Sequence, residues 1–159
     1  MPEVVPIGVI RTPYTERGEA PRQADGADGP SGRVEVDPAF APGLKDLEGF
    51  SHVTLIFLFD RSEGYQLEAV PPIDDRPHGV FATRSPRRPN HLGISTVRLE
   101  RLEGSVLHIL GPDMLDGTPL LDIKPYNPGL APEGPFRCGW IDEVRGRAEI
   151  SRSADETGG

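Results

Sequence analysis

Proline and glycine interrupt this chain so often that it can only be built from many short elements. The 159 residues include 19 glycines and 18 prolines, dispersed without a period between short apolar runs. Glycine readily takes positive φ angles and proline fixes φ near about −65°, so both residues mark turns. The pattern therefore predicts short strands joined by turns, and not a collagen-like or fully disordered chain.

The apolar runs between these turns are rich in β-branched and aromatic residues. The longest, FSHVTLIFLF at residues 50–59, is too short to span a membrane and is typical of a buried strand. Further strands are predicted at residues 4–11, 33–36, 65–70, 78–83, 94–101, 105–110 and 120–124. A single helical turn is predicted at residues 42–47. Seven or eight short strands at near-regular spacing predict an all-β or mainly β protein, a small closed or partly closed barrel with few short helices.

Other architectures and compartments are disfavoured. The chain has no strand–helix alternation and no G-x-G-x-x-G after its first strand, which argues against a Rossmann-type cofactor domain. Cys138 is the single cysteine, so an internal disulfide framework is excluded and a reducing cytoplasm is expected. No signal peptide and no run of membrane-spanning length are visible. The polar sequence from residue 148 to residue 159 predicts a disordered tail after a domain at residues 1–147.

The charge is unevenly distributed. The net charge is −8, which argues against nonspecific binding of nucleic acid over the whole surface. Residues 76–98 nevertheless contain five arginines and no acidic residue. Within this stretch, Pro86 and Pro89 stiffen a loop that carries Arg84, Arg87 and Arg88. Guanidinium groups on a stiff loop favour an anionic ligand, such as a carboxylate or a phosphate.

Three more polar segments follow apolar strands or lie in loops. They are residues 21–23 (Pro-Arg-Gln), the pair Asp60 and Arg61, and the turn at residues 116–119 (Asp-Gly-Thr-Pro). Strand ends of a barrel gather at its rims, so distant segments can line one pocket. Beyond the turn, Asp122 and Lys124 lie on the same face of a predicted strand, where they form either a weak surface ion pair or part of a pocket mouth. The ring of Tyr126, just past them, could stack on a base or pack in the core.

Metal, hydrolytic and phosphoryl-transfer chemistry find little support. The four histidines show no metal-ligand spacing, and no metal site is expected. Neither a nucleophile elbow nor a Walker loop is present.

Five ordered segments carry a family resemblance over about residues 4–128. They are IGVIRTPY (7–14), PRQ (21–23), GFSHVTLIFLF (49–59), GVFATRSPRRPNHLGIS (79–95) and LDGTPLLDIKPY (115–126). Together they resemble the TsaA-like, or TrmO-like, family. The resemblance implies a single-sheeted β-barrel, usually a homodimer, that uses S-adenosylmethionine as cofactor. It also implies methyl transfer to the exocyclic amine of threonylcarbamoyladenosine, beside the anticodon of a tRNA.

The resemblance also implies site residues. Cofactor contacts fall on Pro21, Arg22, Gln23, Asp60, Arg61, Arg84, Ile94, Asp116, Gly117, Thr118 and Pro119. For the RNA, phosphate contacts are expected from Arg87, Arg88 and Lys124, and base stacking from Tyr126. Three groups are candidates to accept a proton or orient the amine, and the sequence does not choose among Asp60, Asp122 and Tyr126.

The chain departs from the family pattern at two places. Some members have His-Gln where this chain has Asp60 and Arg61, which changes the polarity of that corner. Some members also carry a further C-terminal domain, whereas little follows Pro135 here. Two other functions therefore stay open: a methyltransferase for a small molecule or another RNA, and a noncatalytic module that binds S-adenosylmethionine and regulates a partner.

Overall fold

In a computed structural model, residues 2–16 and 29–157 are described. The strands are β1 (Gly8–Arg11), β2 (Ser31–Val36), β3 (His52–Leu58), β4 (Glu68–Ala69), β5 (His78–Gly79), β6 (Leu92–Glu103), β7 (Val106–Leu110) and β8 (Thr118–Pro125). One α-helix, α1, spans Trp140–Thr157, and 3-10 turns lie at Pro38–Leu44, Leu47–Gly49, Val80–Ala82 and Pro128–Leu130. Two compact units result: residues 1–66 with 86–127, and residues 67–85 with 128–159.

The first unit is a closed barrel of six antiparallel strands in the order β1-β2-β7-β6-β3-β8, with β8 pairing back to β1. The predicted mainly β barrel is confirmed. Alternate residues of each strand point into it, which is the period-two pattern that the sequence showed. Ile10, Val34, Leu55, Leu107 and Leu120 are fully buried in the interior. Closure leaves no free edge on the barrel sheet.

A tight turn joins β6 to β7, and a bulge interrupts the pairing of β8 with β3. Gly104 turns the chain with a φ of 59° between β6 and β7. A bulge in β8 lies opposite Ile56 and Phe57, so that Ile56 pairs with Asp122 and Phe57 pairs with Leu120. Leu121 is the extra residue of this bulge. Beyond it, the side chain of Ile123 packs against the core.

The second unit differs from the sequence expectation. Residues 78–83 were expected to form one strand, but β5 stops at Gly79 and a 3-10 turn follows at Val80–Ala82. Val80 is buried, and the amide of Thr83 donates back to the Val80 carbonyl at 3.1 Å, which closes this turn. β5 pairs only with the equally short β4 in a two-stranded ribbon outside the barrel sheet.

The end of the chain also differs. Residues 148–157 belong to α1, where the polar composition predicts a disordered tail. Composition misleads here because α1 is rich in helix-forming charged residues and carries Asp142 and Glu143 in its first turn, where negative charge stabilises a helix. Asp142 also accepts a hydrogen bond from the backbone N–H of Cys138 at 2.8 Å.

Candidate functional site

One rim of the barrel collects the ends of strands that are far apart in sequence. β1 and β3 end where β6 and β8 begin, as the pairs Ile10–Thr118 and Leu58–Leu92 show. We call this end the rim, and define it by Arg11, Thr12, Asp60, Arg61 and residues 116–117. The structure brings Arg61 and Asp116, from two of the predicted polar segments, together at this rim.

The turn at Asp116 and Gly117 is fixed against the end of β1. The amide of Gly117 donates to the carbonyl of Ile10 at 2.9 Å, and the amide of Asp116 donates to the carbonyl of Tyr14 at 2.6 Å. The Asp116 carboxylate in turn accepts from the Thr12 amide at 3.1 Å. These three hydrogen bonds to residues 10–14 hold the turn rigidly.

Two guanidinium groups approach the same turn. Arg61 donates through Nη2 to the carbonyl of Asp116, which joins segments 55 residues apart. Nη1 of Arg11 lies 3.9 Å from the Asp116 carboxylate, while its Nε donates to Glu35 at 2.8 Å. The hydrogen bond to Glu35 raises the pKa of Arg11 above its ordinary value. The sequence reading missed the roles of Arg11 and Glu35, although Arg11 lies in the motif at residues 7–14 that it used.

Gly117→Ala should destabilise the protein and displace Arg61. Gly117 has a φ of 82°, and a Cβ there would lie 3.2 Å from Nη2 of Arg61. The left-handed backbone alone costs an alanine about 1–2 kcal/mol. Gly104→Ala is the matched control, because Gly104 has a φ of 59° with no atom near its added Cβ. We expect a larger loss for Gly117→Ala in urea unfolding; equal losses would show that the Arg61 contact does not matter.

The other site residues predicted at or beside the rim differ in their exposure and in their hydrogen bonds. Asp60 is exposed, and its side chain makes no hydrogen bond or ion pair with the residues that the structure describes. Thr118 is 4% exposed and its hydroxyl donates to the Leu115 carbonyl at 2.6 Å, so this side chain serves the turn. Pro119 is half-buried beside it. The predicted contacts at residues 21–23 lie outside the described residues.

A second group of predicted residues lies on the outer wall of the barrel. The wall consists of the outward faces of β8, β3 and β6, where Asp122 pairs with Ile56 and Ile56 pairs with Ile94. Asp122 and Lys124 form an ion pair at 3.3 Å, a contact worth under about 1 kcal/mol at a surface. Tyr126 is 44% exposed and meets the ring of His52 edge-on at 6.2 Å.

The arginine loop is divided between the two units. Arg84 belongs to the second unit, where its guanidinium is exposed and makes no hydrogen bond or ion pair with described residues. Arg87 and Arg88 belong to the first unit and lie just before β6. His91 closes their loop with a φ of 46°, and its Nε2 donates to the carbonyl of Gly64 at 2.6 Å.

Residues 2–16 and 29–157 lack two features, a cluster of possible metal ligands and a helix suited to cross a membrane. Within that range, no group of three or more histidine, cysteine, aspartate or glutamate side chains is placed to hold a metal ion. No helix in the same range is long and apolar enough to cross a membrane.

Comparisons with known proteins identify the family of this chain. The family described as tRNA-methyltransferase O N-terminal domain matches residues 9–130. A probable S-adenosyl-L-methionine-binding protein of Pyrococcus abyssi is 47% identical over 147 residues, which are 92% of this chain and 80% of that protein. The mouse protein named tRNA (adenine(37)-N6)-methyltransferase is 46% identical over 86 residues, 52% of this chain and 20% of its own length.

A solved structure of a relative supports the same family assignment. The crystal structure of TrmO from Pseudomonas aeruginosa superposes with a TM-score of 0.73 at 41% identity, covering 87% of this chain and 62% of the crystallised one. This chain thus spans less than two thirds of that relative. Since the matching domain covers most of the chain and its five motifs lie within or beside it, the protein belongs to the family of the tRNA-methyltransferase O N-terminal domain.

Proposed function

We propose that this protein is an S-adenosylmethionine-dependent methyltransferase that methylates N6 of the adenine at position 37 of tRNA. The observation that carries the proposal is the bond from Arg61 to the Asp116 carbonyl, which joins the segment after β3 to the family segment at residues 115–126 at one rim. The names of the relatives support both the cofactor and the tRNA base. At the finer level, we propose threonylcarbamoyladenosine as the methylated nucleoside.

The side chains fit the cofactor chemically. S-adenosylmethionine offers a carboxylate, an ammonium group, a ribose diol and an adenine. The guanidinium of Arg84, which has no partner among the described residues, suits the carboxylate, which it can hold through two hydrogen bonds. Carboxylates at Asp60 and Asp116 can accept from a hydroxyl or ammonium group. Ile94 is 51% exposed, and we propose that its apolar surface is shared between the flat adenine and the subunit contact described below. We propose these residues as the cofactor contacts, together with Arg61, Gly117, Thr118, Pro119 and residues 21–23.

The reaction makes modest demands on the protein. The sulfonium supplies an activated methyl group, so the side chains need to hold the nucleophilic nitrogen in line with it. As the nitrogen–carbon bond forms and the sulfur–carbon bond breaks, the nitrogen must lose a proton. We propose Asp60 as the acceptor, because its exposed carboxylate has no partner among described residues. The Asp122 carboxylate is engaged by Lys124 and by the amide of Ile123.

A comparison of matched tRNAs tests the substrate. One tRNA carries threonylcarbamoyladenosine at position 37 and the other carries unmodified adenosine; both are incubated with labelled S-adenosylmethionine and digested for nucleoside mass spectrometry. We expect methylation of the modified tRNA only. Equal labelling of both would contradict the threonylcarbamoyl requirement, and labelling of another RNA alone would contradict the tRNA site. Cofactor binding without turnover on total RNA would establish the regulatory module instead.

Arg87 and Arg88 should bind the tRNA backbone. Arg87 is exposed, and their loop is ordered by hydrogen bonds from the Arg88 amide to the Pro86 carbonyl and from the His91 amide to the Arg88 carbonyl. Replacing both with alanine should weaken binding of an anticodon stem-loop and lower the slope of log K against log salt by roughly one unit per lost contact. Fluorescence anisotropy over a salt series measures this; an unchanged slope would remove both from the interface. Arg145→Ala in α1 is the control.

We further propose that the protein forms a homodimer through the outer wall. Two directly opposed pairs, Ile56–Ile94 and Leu58–Leu92, make this face apolar. Ile94 is 51% exposed and Leu92 is 45% exposed. Neighbouring exposed aliphatic side chains on one sheet face favour burial against another surface, and a twofold contact lets the patch cover itself.

Ile94→Asp should therefore produce a monomer. The new carboxylate would have to be buried without a partner at the proposed contact, which is strongly unfavourable. Light scattering after size-exclusion chromatography measures the mass. Ile150→Asp is the matched control, since Ile150 is also exposed, at 72%, but lies on α1. A dimer that survives Ile94→Asp would place the contact elsewhere.

A further inference from the structure

The second unit contains a buried carboxylate that contacts an imidazole and a guanidinium group. The Asp74 side chain is only 3% exposed; Nε2 of His78 lies 2.7 Å from one of its oxygens and Nη2 of Arg147 lies 2.9 Å from the other. The hydrogen bond with His78 holds the pKa of Asp74 far below its usual range. Because the folded-state pKa is lowered, this stabilisation is present above about pH 4, the unfolded value, and is lost as the pH falls.

An aromatic contact lies beside this carboxylate. The ring of Trp140, the first residue of α1, stacks on His78 with centroids 4.5 Å apart and planes 17° apart. Trp140 and Arg147 are seven residues apart, about two turns, so they lie on one face of α1. That face therefore contacts the segment at residues 74–82 at two points.

A third contact leads from α1 toward the arginine loop. The indole N–H of Trp140 donates to the carbonyl of Ala82 at 2.8 Å. From there, local hydrogen bonds continue along the chain: the Thr83 hydroxyl donates to the Val80 carbonyl at 2.9 Å, and the Ser85 amide donates to the Thr83 hydroxyl at 3.3 Å. Arg84 lies between the two residues joined by this last bond.

We infer that α1 is a positioning element for Arg84, and that Trp140 is the residue through which it acts. The inference rests on the proposed role of Arg84 in cofactor binding. Arg84 is exposed and unpaired among described residues, so its side chain is oriented only by the backbone that carries it. The indole bond fixes that backbone two residues before Arg84. An arginine presented by an ordered backbone loses less entropy on binding a carboxylate than one on a free loop.

Trp140→Phe tests this inference, because it keeps a ring to stack on His78 and removes the indole donor. We expect faster amide hydrogen exchange in peptides covering residues 80–85. We also expect about 2- to 10-fold weaker binding of S-adenosylmethionine by calorimetry, the range for one lost hydrogen bond. The turnover number at saturating cofactor should stay the same. Ile150→Ala, a change at an exposed position of α1, should alter none of these.

A double variant separates positioning from general loosening. In an Arg84→Ala background, Trp140→Phe should weaken cofactor binding no further, because the arginine that it positions is gone. Unchanged exchange at residues 80–85 in Trp140→Phe, or a full affinity loss that persists without Arg84, would overturn the inference. If the unaltered protein binds no S-adenosylmethionine, the proposed function fails, and the exchange measurement still decides whether Trp140 orders this segment.

Discussion

Arg84→Ala should lower the affinity for S-adenosylmethionine by at least about 100-fold while the barrel stays folded. Two charge-assisted hydrogen bonds to a carboxylate contribute about 1.5–3 kcal/mol each, so losing the guanidinium is the largest single loss that we expect at the cofactor. The side chain is exposed and makes no bond to described residues, so its removal should not affect stability. Calorimetry measures the affinity, and thermal unfolding checks the fold.

The control for this prediction is Arg76→Ala. Arg76 is another exposed arginine of the second unit, and the same charge is removed. If Arg76→Ala and Arg84→Ala weaken binding equally, the effect is one of net charge, and Arg84 holds no specific group of the cofactor. If Arg84→Ala retains full affinity, Arg84 does not contact the cofactor, and the carboxylate is bound elsewhere.

Gly8→Ala should prevent the barrel from closing normally. A Cβ on Gly8 would lie 2.3 Å from the carbonyl oxygen of Glu35 and 3.0 Å from Cα of Val36, both backbone atoms of β2. No side-chain rotation can relieve that overlap, so β1 and β2 must separate and lose the pairing from Gly8–Val36 to Arg11–Arg33. We expect a loss of more than about 3 kcal/mol, at the upper end for single substitutions.

Urea unfolding measures this loss, with Gly43→Ala as the control. A Cβ on Gly43 meets no atom within 4 Å, so the same chemical change there should be nearly neutral. β1 leads directly to the residues that hold the Asp116 turn, so a folded remnant of Gly8→Ala should also lose cofactor affinity. A Gly8→Ala protein as stable as the unaltered one would mean that β1 and β2 do not approach so closely.

The barrel was predictable because its strands show their inner and outer faces in the sequence. In β3, Val53, Leu55 and Phe57 are buried and alternate with half-buried residues, and that alternation is local information. The short β5 was not predictable in the same way. Val80 is apolar enough to continue a strand, and the sequence does not show that its carbonyl instead accepts from the Thr83 amide at 3.1 Å.

The candidate site was predictable in its membership and only partly in its geometry. Arg61 was identified by its position after the long apolar strand and Asp116 by a family segment, and the topology of a barrel explains why both lie at one rim. Glu35 could not be found in this way, because its part depends on the register that brings it beside Arg11, at 2.8 Å. The separation of Asp122 and Lys124 from the rim, onto the outer wall, likewise follows from β8 running on past the turn.

The bulge in β8 has a consequence for comparing this chain with others. Leu121 has no counterpart on β3, because Ile56 pairs with Asp122 and Phe57 pairs with Leu120. A chain lacking that one residue would carry an unbroken ladder and would still present Asp122 and Lys124 to solvent. An alignment of such a chain with this one should therefore leave a one-residue gap at Leu121, because the outward-facing residues of both chains then match. Without that gap, interior residues of one chain would be aligned with exterior residues of the other.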